Sequence, residues 1–190
     1  MKPVKNILIV GGGTAGLIAA LILQRRFEKI KVHVVKSNKI GIIGVGEGST
    51  EHFGEFINFM GISPEMLVRQ TDATFKYGVV FENWTKEPYF HNVTRGVSNL
   101  VFGQYLSGYA HAATTHLKSR KYTNGFCLDN MVLSHPFPNQ YHFNTFKLND
   151  FLIERCKLEG VKIFEDEIKD VIVKNGKINY LKGEKKKYKY

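Results

Sequence analysis

The sequence predicts an α/β fold, because strand and helix patterns alternate around a glycine cluster in its first 36 residues. The run from Lys5 to Val10 is short, apolar and rich in β-branched residues, which is typical of a strand buried on both faces of a parallel sheet. AGLIAALILQRRF follows, with good helix formers and two arginines where a helix end favours positive charge. KVHVVK, from Lys31 to Lys36, predicts a second strand. This strand–turn–helix–strand order is Rossmann-like.

The turn between the first strand and the helix carries a dinucleotide-binding motif. GGGTAG, from Gly11 to Gly16, contains G-x-G-x-x-G directly after a strand and at the start of a helix, which is the context that the motif requires. Glycines let the backbone approach a pyrophosphate, and the helix N-terminus offers free N–H groups and positive potential. The predicted cofactor-binding residues of this loop are Gly11, Gly13, Thr14, Ala15 and Gly16.

The residue at the end of the second strand departs from the usual pattern. Asp or Glu usually stands there and binds the adenosine ribose hydroxyls, whereas this chain has Lys36. A lysine cannot accept those hydrogen bonds. It would favour a 2′-phosphate, which suggests NADP, unless a main-chain group and Ser37 bind the ribose instead. This position alone therefore leaves FAD and NADP open.

Two further helices are predicted after a second glycine-rich loop. Ser49 or Thr50 is the candidate cap of the first, which runs to about Met60 and stops at Gly61. The segment SPEMLVRQ starts the second, with its serine as cap and its proline in the first turn.

The C-terminal part of the chain predicts a helix followed by strands. The helix runs from Asn149, as its cap, to Gly160. VKIFEDEIKDVIVKNGKINYLKG then predicts three short strands, the last two joined at KNGK, because Asn-Gly between alternating segments is a strong hairpin signal. The segment from about Tyr89 to Tyr141 is irregular and rich in Phe, Tyr and His.

The basic charge does not point to nucleic acid. The formal net charge is +10, but five of the lysines lie in the last nine residues, KGEKKKYKY. We therefore predict a solvated charged end and no nucleic-acid partner. The apolar run before the first glycines is too short for a signal peptide or for a membrane span of about 20 residues, so the protein is expected to be soluble and cytoplasmic, without a membrane partner.

The cysteines and histidines do not predict a metal site. Cys127 and Cys156 are far apart without metal-type spacing, which fits packing residues in a reducing compartment. His111, His116 and His135 lack a carboxylate or cysteine at ligand spacing. No metal is therefore predicted.

Four motifs in the same order resemble those of the flavin-dependent tryptophan halogenase family. They are VGGGTAGLIAA in the glycine loop, IGVGEGST from Ile43 to Thr50, FKYGVVFENW from Phe75 to Trp84, and YHFNTFKLNDFL from Tyr141 to Leu152. The last resembles the family's W-H-F-D-x-x-x-x-x-D-F-L region. The resemblance spans nearly the whole chain. It implies an α/β, Rossmann-like FAD-binding fold of the GR2 (PHBH-like) type, N-terminal part only, with β-hairpin insertions.

The resemblance also implies a chemistry. In that family FADH₂ reacts with O₂ and then with a halide ion to give hypohalous acid, which travels through a tunnel to an essential lysine beside an aromatic substrate. FAD (as FADH₂), halide and O₂ are thus the implied cofactors, and tryptophan or a similar indole is the implied substrate. A separate flavin reductase is the implied partner, and a homodimer is the candidate assembly.

Residue roles follow from the same resemblance. The halogen-delivering lysine corresponds to Lys76, and a substrate-side histidine corresponds to His91. The strap that links the flavin and substrate sites corresponds to Ile43–Gly48, with Glu47 as its acidic residue. The implied FAD-contacting positions beyond the glycine loop are Ser37, Ile40, Ile43, Val45, Glu47, Gly48 and Ile168.

Lys76 has two interpretations. Its local sequence alone favours a surface lysine whose stem lies on apolar groups while its head reaches water. The four ordered motifs favour a desolvated amine instead, since burial lowers the pKa of a lysine. Such an amine would hydrogen-bond hypohalous acid or form a chloramine, and would orient the halogen toward an aromatic carbon.

The predicted organisation is the N-terminal part of one FAD-binding halogenase domain over residues 1–190. Residues 1–50 form the dinucleotide-binding βαβ unit and strap, 51–148 the substrate- and tunnel-side segment, and 149–190 the helix and β-hairpin that return to the FAD domain. The family's W-x-W-x-I-P motif, its glutamate partner for the lysine and its halide-binding Thr-Gly segment are not found in this sequence. We therefore expect a fragment that binds FAD weakly and does not halogenate alone.

Two alternatives to a halogenase stay open. A flavin monooxygenase of the same fold would not need Lys76. A non-catalytic FAD- or partner-binding fragment, complemented by a second chain, would need neither the lysine nor an aromatic substrate. The sequence does not determine the substrate or the halide.

Overall fold

The computed structural model describes residues 3–44, 46–76, 78–84, 86, 89–92 and 140–189. Val45, Cys127, His111, His116 and His135 lie outside the described residues. The chain forms two compact units. The first comprises Met1–Glu47, Asn58–Asp72 and Phe143–Tyr190, and the second comprises Gly48–Ile57 and Ala73–His142. The domain boundaries expected at residues 50 and 148 stay a prediction.

A parallel sheet forms the centre of the first unit. It begins with β1 (Asn6–Val10), α1 (Thr14–Arg26) and β2 (Lys31–Lys36). β1 runs parallel to β2, and β8 (Lys162–Glu165) runs parallel to β2 on its other side. The strand order β1-β2-β8 therefore places the second strand in the middle, as in a Rossmann half. The predicted strand–helix–strand start is confirmed.

β1 is less buried than its apolar sequence predicts. The valines of β2 are buried, whereas the middle of β1 is half-buried and its last residue, Val10, is exposed. Within the described part of the sheet, β1 has a neighbour on one side only, and β2 has one on each side. The prediction of a strand buried on both faces thus fits β2 better than β1.

The helix α4 (Thr145–Leu158) packs against α1 and starts earlier than predicted. Its cap is Asn144, whose side-chain oxygen accepts hydrogen bonds from the N–H groups of Phe146 and Lys147. The prediction of Asn149 as the cap is wrong, because Asn149 lies buried inside the helix. Gly160 has φ 80° just after the helix, which agrees with its predicted role as the stop.

The other two helices follow the sequence signals closely. α2 (Glu51–Phe59) ends just before Gly61, whose φ is 65°. α3 (Pro64–Thr71) starts with Pro64 and is capped by Ser63, whose hydroxyl accepts a hydrogen bond from the Met66 N–H at 3.1 Å. Over the described stretches of the chain, no helix is long and apolar enough to cross a bilayer.

An antiparallel meander completes the first unit. β9 (Ile168–Lys174) and β10 (Lys177–Gly183) are joined by Asn175 and Gly176, both with positive φ, as the hairpin signal predicts. β11 (Lys187–Tyr188) pairs with β10. The prediction of a solvated charged end is wrong at Tyr188, which is buried and donates a hydrogen bond to Asp166.

The second unit contains two small sheet regions. β3 (Glu47–Gly48), β7 (Tyr141–Phe143) and β4 (Thr74–Phe75) form one, with β7 in the middle. β5 (Gly78–Phe81) and β6 (Tyr89–Asn92) form an antiparallel pair. The end residues Glu47 and Phe143 belong to the first unit, so the chain passes between the units within β3 and within β7, as it also does after Ile57 and after Asp72.

Candidate functional site

The loop between β1 and α1 has the close-packed geometry of a dinucleotide turn. Gly11 has φ 121°, and its N–H donates a hydrogen bond to the Val35 carbonyl at 2.8 Å, which extends the pairing of β1 with β2. A Cβ atom on Gly16 would lie less than 3.0 Å from the Gly11 carbonyl oxygen. Glycine at both positions is therefore required by the fold itself.

The outer side of the same loop is open. Gly13 caps α1 without any side-chain hydrogen bond, and the first turn of the helix has no acidic residue. A Cβ atom on Gly13 would meet no atom within 4 Å. Uncapped N–H groups at a helix N-terminus, beside free space, fit a pyrophosphate. The residues present therefore fit a dinucleotide, as the motif predicts.

Gly12 is a site residue that the motif did not identify. A Cβ atom there would lie less than 3.0 Å from the Lys36 Cβ atom, and the Gly12 carbonyl accepts a hydrogen bond from Asn149 Nδ2 at 2.8 Å. G-x-G-x-x-G allows any residue at this position. The third consecutive glycine was the signal in the sequence that could have identified it.

The end of β2 holds the residues expected near the adenosine ribose. Lys36 is half-buried, with its stem against Gly12, and its carbonyl accepts a hydrogen bond from the Asp166 N–H at 2.9 Å. The Ser37 hydroxyl accepts a hydrogen bond from the Lys39 N–H at 3.2 Å, which leaves its own proton available to a ligand. Ile40 is exposed.

The strap residues in the first unit are largely open to solvent. The Ile43 side chain is 93% exposed. A Cβ atom on Gly44 would lie 3.0 Å from a Glu47 carboxylate oxygen and 3.4 Å from the Thr145 methyl group, so Glu47 points back along the strap. The predicted contact residue Val45 lies outside the described residues. An FAD-binding role of this segment stays a prediction.

A buried carboxylate stabilises the turn before Ile168. Asp166 is 4% exposed and accepts hydrogen bonds from the N–H groups of Glu167, Lys185 and Lys186 and from the Tyr188 hydroxyl. Burial alone would raise the pKa of Asp166, but the hydrogen bonds outweigh it, and the pKa is lowered. Ile168 follows as the half-buried first residue of β9. No motif or spacing in the sequence identified this carboxylate.

Lys76 lies at the end of β4, in the second unit. Its Nζ atom donates a hydrogen bond to the Ser49 carbonyl at 3.2 Å, and its N–H donates to the Gln140 carbonyl at 2.9 Å. The side chain is half-buried. The structure thus brings the amine against Ser49, the residue that directly follows the strap. The burial of Lys76 is intermediate between the surface lysine and the desolvated amine that the sequence suggested.

The surroundings of Lys76 are fixed by pairing between distant segments. The Ser49 N–H donates to the Tyr141 carbonyl at 2.7 Å, and the Tyr141 N–H donates to the Ser49 hydroxyl at 2.9 Å. The position of a Cβ atom on Gly48 lies 3.7 Å from Lys76 Nζ and 3.4 Å from His142 Nδ1. The His142 imidazole and the Lys76 amine thus both lie near Gly48, and a role of His142 was not predicted.

Two other predicted positions lie on or near the β5–β6 pair. His91 is on β6, opposite Val79. Trp84, the last residue of the FKYGVVFENW motif, is 71% exposed and stacks on Phe81, with ring centroids 4.7 Å apart.

Comparison with known sequences gives consistent matches to one group of enzymes. The family model described as tryptophan halogenase matches residues 6–188. Tryptophan 6-halogenase SttH of Streptomyces toxytricini is 27% identical over 203 aligned positions, which cover 87% of this chain and 38% of SttH. 7-chloro-L-tryptophan 6-halogenase KtzR of Kutzneria sp. is 39% identical over 79 residues, 41% of this chain and 15% of KtzR. The chain thus spans less than two fifths of the length of these relatives.

Solved structures share the fold over almost the whole chain. Xcc4156, a flavin-dependent halogenase from Xanthomonas campestris, has a TM-score of 0.72 and 25% identity, covering 99% of this chain and 41% of that one. MibH, a tryptophan 5-halogenase, also has a TM-score of 0.72, with 22% identity over 98% of this chain and 38% of its own. The Rossmann-like, FAD-binding α/β class predicted from the sequence is confirmed. Since the family model covers nearly all of its residues, the chain belongs to the tryptophan halogenase family.

Proposed function

We propose that this chain contributes the dinucleotide-binding loop and the halogen-delivering lysine of an FADH₂-dependent halogenase that acts on a tryptophan- or indole-like substrate. The observation that carries the proposal is the hydrogen bond from Lys76 Nζ to the Ser49 carbonyl at 3.2 Å. Ser49 directly follows the strap, Ile43–Gly48, so the amine lies at the end of the segment that the family resemblance connects with both flavin and substrate.

The flavin site is the loop at the start of α1. Gly13, Thr14, Ala15 and Gly16 would present N–H groups to the pyrophosphate, with Ser37 as a donor to the ribose, and the strap and Ile168 would contact other parts of FAD. When bound, the reduced flavin supplies two electrons to O₂ and the halide supplies two more, which yields hypohalous acid and water. Glycine loops of this kind bind both FAD and NADP, so the binding experiment below compares the two cofactors.

Lys76 is the group that this chain offers to hypohalous acid. Among the residues that the structure describes, its amine donates to one carbonyl, so two of the three protons of the charged form are available for further hydrogen bonds. It would hold hypohalous acid by a hydrogen bond, or its neutral amine would take the halogen to form a chloramine, in which case the O–halogen bond breaks and the hydroxyl leaves as water with a proton from the amine. In either case an aromatic carbon receives the halogen and loses a proton, and water is released. The fixed position of the amine contributes orientation.

The remaining assignments follow from the family. His91 would be the substrate-side histidine, and a separate flavin reductase would supply reduced FAD, since the motifs found here account for flavin binding and not for flavin reduction. Halide and O₂ are the co-reactants, and a homodimer is the expected assembly. The cytoplasm is the expected location of the enzyme.

The first experiment measures cofactor choice in the 190-residue chain. FAD and NADP⁺ are titrated separately against the purified protein, by flavin fluorescence and by calorimetry. We expect FAD to bind, and a Gly13→Ala change to weaken FAD by about tenfold or more, because the new methyl group occupies the free space beside the helix N-terminus. Binding of NADP⁺ but not FAD would overturn the flavin assignment.

The second experiment tests the lysine in a chimera, in which this chain replaces the matching segment of SttH. With a flavin reductase, FAD, NADH, bromide and indole, we expect bromination that Lys76→Ala lowers by about 100-fold or more. Lys177→Ala, at an exposed position of the meander, is the matched control and should keep full activity. If indole is oxygenated instead and this activity survives Lys76→Ala, a monooxygenase-type role is favoured. An inactive chimera that still binds FAD favours a non-catalytic flavin-binding fragment.

A further inference from the structure

We propose that Asn149 is a positioning residue of the dinucleotide site, and that its buried side-chain amide fixes the orientation of the Gly12–Gly13 peptide. The inference rests on the proposed FAD-binding function of the glycine loop. Asn149 is 137 positions away from Gly12 in the sequence. It lies within the fourth motif, but the family resemblance supplies no role for it.

The contact is short and directional, and the asparagine that makes it is buried. Asn149 is 3% exposed, and its Nδ2 atom lies 2.8 Å from the Gly12 carbonyl oxygen. Because a carbonyl can only accept, the side chain must turn its NH₂ group toward the loop. A buried amide without a partner would be costly, so this hydrogen bond strongly favours one arrangement of the loop.

Because the peptide group is planar, fixing the Gly12 carbonyl also fixes the direction of the Gly13 N–H, on the side where the dinucleotide is expected. In a trans peptide the C=O and the following N–H point in opposite directions. Since the Gly12 carbonyl points at Asn149 on α4, the Gly13 N–H points away from that helix. On Gly13 a Cβ atom would meet nothing within 4 Å, which marks the open side of the loop. Asn149 thus aims a donor at the expected position of the pyrophosphate.

The other neighbour of Gly12 restricts the loop further. A Cβ atom on Gly12 would clash with the Lys36 Cβ atom, so this glycine lies between the stem of Lys36 and the amide of Asn149. If the peptide turned over, its carbonyl oxygen would face the phosphates in place of the N–H. An acceptor oxygen facing a phosphate is repulsive, so loss of the amide should weaken dinucleotide binding more than it weakens the fold.

The experiment compares three variants of the 190-residue chain with the unchanged protein. Asn149→Ala removes the donor, and Asn149→Asp keeps the shape but presents a carboxylate. Cys156→Ala is the matched control, because Cys156 lies seven positions further along the same helix, is also buried, and contacts the Leu17 carbonyl of α1 instead of the loop. The measurements are FAD affinity, thermal stability, and the NMR carbonyl signal of Gly12 without ligand.

We expect both Asn149 variants to bind FAD about tenfold more weakly at pH 8, while Cys156→Ala loses a similar amount of thermal stability and keeps its affinity. The affinity of Asn149→Asp should recover partly as the pH is lowered, because a protonated carboxyl group can donate again, and burial raises its pKa. A purely structural asparagine would not produce this pH dependence.

Two results would overturn the inference. One is FAD affinity within twofold of the unchanged protein for Asn149→Ala, although its stability falls as in the control. The other is an unchanged Gly12 carbonyl signal in Asn149→Ala. If the unchanged chain binds no FAD, the proposed function fails by itself. The Gly12 signal then decides the inference, since a shift toward the non-hydrogen-bonded position supports loop fixation and no shift contradicts it.

Discussion

The glycine loop in the first unit and the Lys76 region in the second unit are fixed by different means. In the loop, Gly16 and Gly12 have no room for a side chain, and Gly11 has a positive φ that other residues rarely adopt. The buried amide of Asn149 also holds the Gly12 carbonyl. Lys76 is half-buried, and one hydrogen bond to a backbone carbonyl orients its amine. The loop is therefore defined by steric exclusion, and the lysine by a contact that a modest movement can break.

This difference fits the tasks proposed for the two regions. A pyrophosphate must meet N–H groups at set positions, so a rigid loop reduces the ordering cost of binding. An amine that receives a small reagent and presents it to a substrate must be able to exchange its hydrogen-bond partner. We therefore expect substitutions in the loop to reduce stability and those at the lysine to spare it.

The largest effect is expected for Gly16→Val. The new side chain would start less than 3.0 Å from the Gly11 carbonyl oxygen, so α1 must move away from β1. We expect a loss of about 3 kcal/mol or more in the free energy of unfolding, measured by urea denaturation followed by circular dichroism. The control is Gly13→Ala, whose methyl group enters open space and should cost less than about 1 kcal/mol.

The next effect is expected for Gly12→Ala. Its Cβ atom would overlap the Cβ atom of Lys36, which is close to the backbone and cannot simply swing away. A loss of about 2 kcal/mol in stability is expected, together with weaker FAD binding. Pairing it with Lys36→Gly, which removes the clashing atoms, should restore part of the stability. No restoration in the double variant would contradict the assigned clash.

A smaller and pH-dependent effect is expected for Tyr188→Phe. The change removes one of the hydrogen bonds that lower the pKa of Asp166, at a cost of about 1.5 kcal/mol at pH 7. A carboxyl group with a lowered pKa stabilises the fold above its unfolded pKa of about 3.9, and this contribution is lost as the pH falls through the folded pKa. The difference between the two proteins should therefore shrink below about pH 4.

Measuring urea midpoints from pH 3 to pH 7 tests the Asp166 prediction. The matched control is Tyr180→Phe, at a partly exposed position on β10. Its effect should be small and independent of pH in this range. A pH-independent deficit in Tyr188→Phe would show that packing of the ring, and not the carboxylate, is responsible.

The smallest effect on stability is expected for Lys76→Ala. It removes a half-buried side chain with one hydrogen bond, at 3.2 Å, so the free energy of unfolding should change by less than about 1 kcal/mol. Lys76→Met, which keeps an unbranched stem, should be closer still to the unchanged protein. Strong destabilisation by both changes would mean that Lys76 is structural, and the comparison with the loop would fail.

Sequence patterns predicted those features whose physical cause lies in neighbouring residues. Gly11 and Gly16 were identified because the motif records where a strand-to-helix turn excludes Cβ atoms, and the Asn175–Gly176 turn because both residues tolerate positive φ. Lys76 was identified only through the order of four motifs. Its half-buried state lies between the exposed and the desolvated lysine that the sequence allowed. It follows from hydrogen bonds of its N–H to Gln140 and of its amine to Ser49.

The Rossmann-like start, the ends of several helices and the family could be predicted from the amino-acid sequence, because glycines, caps and ordered motifs act over a few residues each. The folded chain was needed to show that Asn149 is a buried donor to Gly12 and not a cap, and that Tyr188 joins a buried cluster at Asp166. In both cases the partner lies far along the chain. A side chain's role there depends on which polar group folding brings to it, and neighbouring residues do not encode that.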